Sequence, residues 1–232
     1  MTSLLIATRN THKVGEIRAI LGDGFKYLTL ADIADSPKVV EDAPTFEGNA
    51  RKKAEDIARW LALKESTTRD PLPTFVLADD SGLEVDALNG APGVHSARFA
   101  ALDSHTPGNS KDDDNNSKLL RLLEDVSGPR RTARFRCVIA LTRVPEPRIE
   151  NASPVCYADE FALGTEFFAG SCEGMIGFEP HGGGGFGYDP LFFPVGSERS
   201  FAQLSREQKN AISHRAQALA KLKSYFKKLQ SA

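Results

Sequence analysis

The first part of the chain alternates between short apolar runs and apolar residues at helical spacing. Leu4–Ala7 is a short apolar run, which predicts a first strand. After a polar turn, apolar residues recur with the period of a helix at Val14, Ile17, Ile20 and Leu21. A strand, a polar turn and a helix are therefore predicted at the amino-terminal end.

A second strand and a longer helix are predicted next. Val39–Asp42 has the pattern of a strand that ends in acidic residues. A helix is predicted from Thr45 to about Leu63, because one helical face collects the apolar residues Phe46, Ala50, Ala54, Ile57 and Leu61.

The central part of the chain joins an apolar run to two adjacent carboxylates. Thr74–Ala78 is short and apolar, so it predicts an interior strand. Asp79 and Asp80 would leave this strand at its carboxyl end, and the chain would turn sharply at Gly82 before another strand over Leu83–Leu88. Ligands commonly bind at that edge of an open α/β sheet. Asp-Asp-Ser-Gly is also favourable turn chemistry, so a turn without a catalytic role is the alternative.

The second half begins with a polar stretch. Asp103–Asn116 is predicted to be a solvated loop, because it is rich in Pro, Gly, Ser, Asn and Asp. A helix over Leu119–Val126 follows and ends at the next Gly-Pro pair. Two long strands are predicted at Thr132–Thr142 and at 159–169, with a Pro-rich connection at 144–155 between them.

The carboxyl-terminal part is predicted to be helical from Ser205, because Ser205 and Gln208 match a capping box. The chain contains no internal repeat and no low-complexity linker. Strands and helices follow one another without a break, which predicts one α/β domain over residues 1–232, with room for two lobes around a cleft.

Composition and charge exclude several classes of protein. The 232 residues are 41% hydrophobic and 26% charged, which is typical of a soluble protein. A net charge of −2 argues against a protein that coats long nucleic acids or an anionic membrane. No apolar stretch approaches the ~20 residues of a membrane helix, and Arg9 follows the first apolar run too closely for a signal peptide. Three widely spaced cysteines favour a reducing compartment, so a cytoplasmic protein is predicted.

The polar turn between the first strand and the first helix is a candidate phosphate site. It consists of Thr8, Arg9, Asn10, Thr11, His12 and Lys13. Backbone N–H groups and the positive end of the helix dipole would face a ligand there. Lys13 lies in the first helical turn, where acidic residues are normally favoured, and an anionic ligand would explain it. An ordinary strand-to-helix turn is the alternative, and the P-loop motif is absent.

The second helix carries a further candidate for phosphate binding. Asn49 and Lys53 are four residues apart and share a face, so Lys53 could reach the same ligand, although lysine on such a helix is also common at the surface. Glu41, just before this helix, could join Asp80 in holding Mg²⁺. That cation takes one or two carboxylates and leaves its other positions to water and phosphate oxygens.

The glycine-rich segment, Gly182–Pro190, is the second unusual feature of the sequence. Its glycines let the backbone approach a ligand closely and would leave Phe186 and Tyr188 as exposed rings. Asp189 beside them would accept hydrogen bonds from ring N–H groups. Stacking together with such an acceptor would suit a purine base.

A cluster of basic residues near the carboxyl terminus completes the candidate site. Ser213, His214 and Arg215 lie where a second terminal helix could start, one turn after Lys209. Arg215 can donate two parallel hydrogen bonds, and a purine with a 6-oxo group presents acceptors at O6 and N7. A 6-amino group would instead set donor against donor and leave buried polar groups unpaired. The sequence therefore predicts a preference for 6-oxo purines.

In these residues the chain resembles the inosine triphosphate pyrophosphatase family, also called the Ham1 or RdgB-like family. Six separated blocks carry the resemblance and occur in the family's order. They are Ala7–Lys13, Thr45–Ala50 with Lys53, Ala78–Leu83, Ala91–Arg98, Phe186–Pro190 and Ser213–Arg215.

The resemblance implies an α/β fold of the ITPase/Maf-like type, in which a mixed central sheet is flanked by helices and two lobes surround an active-site cleft. It also implies a homodimer and Mg²⁺ as cofactor. The implied reaction cuts a nucleoside triphosphate between its α and β phosphates, giving the monophosphate and pyrophosphate. The small-molecule substrates would be inosine, deoxyinosine and xanthosine triphosphates, removed before a polymerase incorporates them.

Residue roles follow from the same resemblance. Asp80 would be the general base that deprotonates the attacking water and also a Mg²⁺ ligand, with Glu41 as the second acidic ligand. Ser81 would lie against the substrate. The Thr8–Lys13 turn and Lys53 would hold the triphosphate. The base pocket would be formed by Phe186, Gly187, Tyr188 and Asp189 and closed by Lys209, His214 and Arg215.

The chain departs from the family at a few places. Gly48 stands where many relatives carry a second acid, so Glu41 or Glu47 must serve if that acid helps to bind metal. The 103–116 loop and the 144–159 connection look longer than in compact relatives and are expected to be exposed insertions. Two other functions stay open: a nucleotide-binding regulator that has lost turnover, and a pyrophosphatase acting on modified pyrimidines.

Overall fold

The structure of the protein is a computed structural model that describes residues 1–64, 73–104, 108–145 and 163–231. Within these ranges the strands β1 to β6 are Thr2–Ile6, Phe25–Thr29, Phe75–Val85, Thr132–Arg143, Thr165–Ile176 and Phe192–Pro194. The α-helices α1 to α6 are Thr11–Leu21, Phe46–Lys64, Ala101–Ser104, Asp112–Leu122, Arg206–Ile212 and His214–Ser231.

The strands of the described chain form one sheet in the order β2-β1-β3-β4-β5-β6. β1 is parallel to β2 and to β3, whereas β5 and β6 are antiparallel. The sheet therefore contains both parallel and antiparallel strand pairs, which makes it a mixed sheet, and helices flank it. The predicted mixed α/β class is confirmed.

The chain divides into two compact units, of which the first comprises Met1–Asp79 and Ile139–Phe168. In its sheet, Leu5 of β1 is in register with Leu28 of β2 and Val76 of β3. The two long helices of this unit bury apolar faces. The buried helical residues are Ile17, Leu21, Phe46, Ala50, Ala54, Ile57, Ala58 and Leu61, which confirms the predicted face of α2.

The second unit comprises Asp80–Val138 and Ala169–Ala232. Aromatic rings form the centre of its core. Phe135 packs against Phe192 with ring centroids 4.7 Å apart and stacks on Phe201 at 5.8 Å. Tyr188 and Leu191 belong to the same buried cluster, so the end of the glycine-rich segment is anchored in this core.

The β3 strand differs from the prediction. Phe75–Val85 is one continuous strand, so the expected turn at Gly82 and a separate strand after it are wrong. Asp79 and Asp80 lie in the middle of β3, and both side chains are buried. Successive side chains of a strand point to opposite faces, so the two carboxylates serve different surroundings.

The segment Val39–Asp42 was predicted as a strand but has no regular secondary structure. Pro37 and Pro44 flank it and remove backbone donors, and Val40 is exposed, so nothing favours pairing there. Two strands of the structure, β2 and β6, are absent from the prediction because their sequences carry little strand pattern. β2 mixes lysine, tyrosine and threonine with its apolar residues, and β6 has only three residues.

The predicted 103–116 loop is partly helical. α3 ends at Ser104 and α4 begins at Asp112, while residues 105–107 lie outside the described residues. The Asp112–Asp114 run fills the first turn of α4, where negative charge is favoured by the helix dipole. The next two residues, Asn115 and Asn116, are buried. The helix also ends at Leu122, earlier than Val126.

The connection predicted at 144–159 falls mostly on residues 146–162, which lie outside the described residues, as does Cys156. The strand predicted at 159–169 is found as β5 and begins at Thr165. The capping box at Ser205 is confirmed, and α6 starts at His214 where a second terminal helix was predicted. Among the described helices, none combines the length and the apolar character needed to cross a membrane.

Candidate active site

The turn between β1 and α1 is ordered by its own side chains. Asn10 is the N-cap of α1, and its side-chain oxygen accepts a hydrogen bond of 3.1 Å from the backbone N–H of Lys13. The Thr8 hydroxyl oxygen accepts another, of 3.2 Å, from the N–H of Asn10. The predicted strand-turn-helix is thus confirmed, with Thr8 and Asn10 fixing its shape.

Lys13 reaches from this turn to β3. Its Nζ lies 2.5 Å from Oδ1 of Asp79, whose side chain is wholly buried. A buried carboxylate needs such a partner, since an unpaired charge away from water is very costly. The ion pair explains how an aspartate is held in mid-strand, and it places the Lys13 ammonium group at the end of β1.

The other members of the turn face elsewhere. Arg9 donates to the backbone oxygen of Ser36 at 2.9 Å and to its hydroxyl at 3.2 Å. It therefore ties this turn to the loop that follows β2. Thr11 and His12 are exposed at the start of α1. Of the residues of this turn, Lys13 is the one that the structure shows in an ion pair with Asp79.

Lys53 of α2 is buried and also meets β3. Its Nζ donates to the backbone oxygen of Asp79 at 2.8 Å and to Oε2 of Glu41 at 3.0 Å. Lys13 and Lys53 therefore approach the same residue, one at its carboxylate and one at its carbonyl group. Each ammonium group is paired with a carboxylate, Lys13 with Asp79 and Lys53 with Glu41.

Asn49 shares the Lys53 face, as predicted, but its role is structural. The Asn49 side-chain oxygen accepts a hydrogen bond of 2.9 Å from the backbone N–H of Ala43, which ties the segment before α2 to the helix. Gly48 lies on the same turn, and a Cβ built there would approach the Cβ of Ala43 to 2.8 Å. An acid at position 48 would therefore require Ala43 to move.

In the second unit, Arg215 is the largest side chain that is fully buried, with 1% of its surface exposed. Its Nη2 donates to the hydroxyl of Ser81 at 2.8 Å. His214 precedes it, and the imidazole stacks on the Phe135 ring at 4.8 Å with an interplanar angle of 13°. The start of α6 is thus packed against the core, and Asp80, beside Ser81, is buried in the same unit.

The glycine-rich segment is held by a buried ion pair. Oδ2 of Asp189 lies 2.6 Å from Nζ of Lys209, and it also accepts the backbone N–H of Phe186 at 2.9 Å. Lys209 Nζ lies 4.8 Å from the centroid of the Phe186 ring, and the Arg215 guanidinium carbon lies 6.0 Å from it. Two buried cations therefore accompany one aromatic face.

Tyr188 does not match its predicted role as an exposed ring. Only 3% of it is exposed, and its hydroxyl donates a hydrogen bond of 3.0 Å to the backbone oxygen of Ser96. Burial, with a smaller contribution from the charge of Asp112, raises the pKa of Tyr188, so the phenol stays protonated as a donor. The local sequence does not show the core beneath the segment, in which the Tyr188 ring is buried.

Two contacts to the glycine-rich segment were not predicted. Gly187 donates its N–H to Oδ2 of Asp112 at 2.6 Å and accepts a hydrogen bond of 3.1 Å from Nδ2 of Asn116. The available signal was the Asp112–Asp114 run, which also fits the first turn of a helix.

Few side chains of the described residues are available to coordinate a metal ion. The described residues contain no group of three or more His, Cys, Asp or Glu side chains placed to hold a metal. The predicted ligands are the buried Asp80 and the Glu41 side chain, which is 39% exposed and paired with Lys53. Carboxylates as the only donors fit a hard cation that completes its shell with water and phosphate oxygens.

Comparison with known proteins identifies relatives over nearly the whole chain. The model of the Ham1 family matches residues 4–225. The dITP/XTP pyrophosphatase of Desulforamulus reducens is 45% identical over 228 residues, covering 97% of this chain and 96% of the relative. That of Geobacter sulfurreducens is 45% identical over 227 residues, covering 97% of each. Among solved structures, a HAM1 protein from Coxiella burnetii superposes with a TM-score of 0.76 at 33% identity, covering 98% of this chain and 100% of the other.

Proposed function

The chain belongs to the Ham1 family, and on that basis we propose that it is a nucleoside-triphosphate pyrophosphatase acting on non-standard purine nucleotides. Its relatives are named for dITP and XTP, and ITP shares the same 6-oxo group. Water is added across the bond between the α and β phosphates, which releases the nucleoside monophosphate and pyrophosphate. The proposal rests above all on Lys209 and Arg215, two buried cations that face the Phe186 ring.

The first unit supplies the triphosphate contacts. Backbone N–H groups at the start of α1 and the positive end of its dipole face the turn of Thr8, Arg9, Asn10, Thr11 and His12. Lys13 lies at the carboxylate of Asp79 and Lys53 at its backbone oxygen, and their ammonium groups supply two positive charges. Their charge offsets the negative charge that builds up on the leaving pyrophosphate.

The second unit supplies the base contacts. The Phe186 ring stacks on the purine, and Gly187, Tyr188 and Asp189 hold that ring in place through their backbone and core contacts. Lys209, His214 and Arg215 surround the base edge. Because the guanidinium and ammonium groups are donors, O6 and N7 of a 6-oxo purine are matched and a 6-amino group is not.

Asp80 accepts the proton of the attacking water, and Ser81 lies against the substrate with its hydroxyl oriented by Arg215. Glu41 and Asp80 are the carboxylates that would hold Mg²⁺. When bound, this ion offsets charge on the phosphate oxygens.

The proposal is tested by measuring pyrophosphate release from dITP, dGTP and dATP, with Mg²⁺ and with chelator. We expect release from dITP that requires Mg²⁺, with dGTP and dATP far slower. Asp80→Asn, which keeps the shape of the side chain and removes the base, should slow release by about 10²–10⁴-fold. Asp125→Asn is the matched control, because Asp125 is an exposed aspartate of the same unit.

The two alternative functions predict different outcomes of the same experiment. Tight nucleotide binding without release would indicate a regulator that has lost turnover. Faster release from modified pyrimidine triphosphates than from dITP would indicate the pyrimidine enzyme. Either result contradicts the proposal.

The assembly and the compartment are proposed on the family resemblance. A homodimer predicts twice the chain mass in sedimentation velocity, and a mass of 25.2 kDa would contradict it. A cytoplasmic enzyme predicts recovery in the cytosolic fraction of its host.

A further inference from the structure

The peptide groups of Gly187 are held from one side by helix α4. Its N–H donates to Oδ2 of Asp112 at 2.6 Å, and its carbonyl oxygen accepts from Nδ2 of Asn116 at 3.1 Å. Asp112 and Asn116, termed here the α4 pair, are four residues apart and therefore share one face of the helix. The α4 pair satisfies both the donor and the acceptor of a single residue.

Gly187 follows directly after Phe186, so its position governs where the ring lies. Its φ of 63° belongs to the left-handed region, which glycine adopts readily. Glycine-rich backbone has many accessible conformations, and fixing one of them needs specific contacts. The N–H of Phe186 is fixed by Asp189, and the next peptide group is fixed by the α4 pair.

The burial of Asn116 shows that its amide group is kept for this contact. Only 6% of Asn116 is exposed, and within the described part of the chain its Oδ1 is buried without a hydrogen-bond partner. An unsatisfied buried acceptor destabilises a fold. An apolar side chain of similar size would avoid that penalty, so the hydrogen bond to Gly187 is what the amide provides.

Open space lies beside the glycine-rich segment. A cavity of ≈ 470 Å³ lies between α4 and the glycine-rich segment, lined by Asp112, Asp113, Asn116, Ser117 and the backbone of Gly182–Gly187. Room of this size allows the segment to move once its hydrogen bonds to α4 are lost. Such a shift would move the Phe186 ring away from Lys209 and Arg215.

We propose that Asp112 and Asn116 are positioning residues that hold Phe186 against the base and thereby set the discrimination between 6-oxo and 6-amino purines. The inference rests on the function proposed above. Neither residue touches the substrate. They act through Gly187, and their effect therefore falls on base recognition and leaves the hydrolytic step itself nearly unchanged.

The test compares Asp112→Ala, Asn116→Leu and the conservative Asp112→Asn. Asp112→Asn keeps an acceptor oxygen for the Gly187 N–H. We measure kcat and KM for dITP and dATP, and also the Kd of dITP by calorimetry in chelator, which needs no turnover. The matched control is Asp114→Ala, which removes one exposed carboxylate from the same helical turn without any contact to Gly187.

Asp112→Ala should raise KM and Kd for dITP about tenfold, as expected for one charge-assisted hydrogen bond, and Asn116→Leu should raise them less, because its hydrogen bond is neutral. The kcat for dITP should stay within about threefold, and the ratio of kcat/KM for dITP over dATP should fall about tenfold. Asp112→Asn should recover most of this loss, and Asp114→Ala should match the wild type. Lower Tm with an unchanged dITP-to-dATP ratio and unchanged Kd would overturn the inference and leave a purely structural role.

Failure of the proposed function gives a different result. Wild-type protein that binds dITP without releasing pyrophosphate would refute the hydrolase, while the Kd of the three variants would still decide the role of the α4 pair. Wild-type protein that shows no affinity for dITP would overturn both.

Discussion

The two units hold their positive side chains in different ways. In the first unit, Lys13 and Lys53 retain 15% and 11% of their side-chain surface, and Lys53 pairs with a Glu41 side chain that is 39% exposed. In the second unit, Lys209 and Asp189 retain 7% and 3% of theirs, and Arg215 retains 1%. The charged side chains of the first unit, Glu41 above all, keep some contact with water, whereas those of the second are almost completely removed from it.

This difference teaches what each unit can recognise. A partly solvated ammonium group attracts any polyanion and can be rehydrated when a contact is poor. A buried donor has no water to replace a missing acceptor, so a mismatched base leaves it unpaired at a large energetic cost. Changes in the first unit should therefore slow every substrate alike, and changes in the second should alter the ranking of substrates.

The largest effect is expected from Lys53→Met in the first unit. The change removes a charge that would stabilise the phosphates, so kcat/KM should fall about 10²–10³-fold. The fall should be equal for dITP and dATP, because no base contact changes. Lys52→Met is the control, since Lys52 is half-buried and pairs with the exposed carboxylate of Asp42, and such pairs contribute only about 0–1 kcal/mol. A changed dITP-to-dATP ratio in Lys53→Met would break the comparison.

A smaller and selective effect is expected from Arg215→Gln in the second unit. Losing a bidentate donor removes about 1–3 kcal/mol of discrimination, so the dITP-to-dATP ratio should fall roughly 5–150-fold. Arg215 also bonds to Ser81, so Tm should fall as well. The control Arg206→Gln changes an exposed arginine of the neighbouring helix α5. Equal slowing of both substrates would show that Arg215 serves the phosphates instead.

The cluster formed by Thr8–Lys13 and Lys53 in the first unit could be predicted more fully than the base-side residues of the second unit. The reason is that local sequence pattern determines where its members lie. The order of strand, polar turn and helix fixes where Thr8–Lys13 must lie, and the four-residue spacing on α2 places Lys53 on the face of Asn49. These relations need only one or two elements. The cluster was therefore found, although the partner of Lys13, Asp79, was not.

The remaining features depend on contacts between distant parts of the chain. Two carboxylates inside β3 contradict strand propensity, and the ion pair with Lys13, far away in sequence, helps to make Asp79 tolerable there. Tyr188 was predicted as an exposed ring because nothing local shows that Ser96 accepts its hydroxyl. The start of α4 was hidden because an acidic run fits both a loop and a helical first turn.

Backbone geometry in the second unit offers a sharper test. Gly185 has a φ of 74°, and a Cβ there would overlap the Asp189 carboxylate. Gly185→Ala should weaken the Asp189 contacts and raise KM for dITP about tenfold, consistent with a penalty of about 1–3 kcal/mol for such strain. In Gly183→Ala the new Cβ meets nothing within 4 Å, so kinetics should stay near wild type. Equal effects of the two substitutions would show that the segment responds to flexibility alone, without a specific contact.

The smallest effect on activity is expected at Tyr188, although it lies in the base-side segment. Tyr188→Phe keeps the ring and removes a buried donor to Ser96, so the folded state should lose about 1–3 kcal/mol while the dITP-to-dATP ratio stays unchanged. The loss should appear as a Tm lower by roughly 2–4 °C for each kcal/mol.

The pH dependence separates this hydroxyl from a ligand contact. Burial raises the pKa of Tyr188 above its ordinary value of 10.0. Above pH 10 the unfolded chain loses this proton first, so it binds fewer protons than the native state and stability falls as the pH rises. Tyr188→Phe lacks that proton, so its deficit relative to wild type should shrink above pH 10 in denaturant titrations. A deficit that stays constant to higher pH, together with a changed substrate ratio, would place the hydroxyl on the base and would remove Tyr188 from the supporting core.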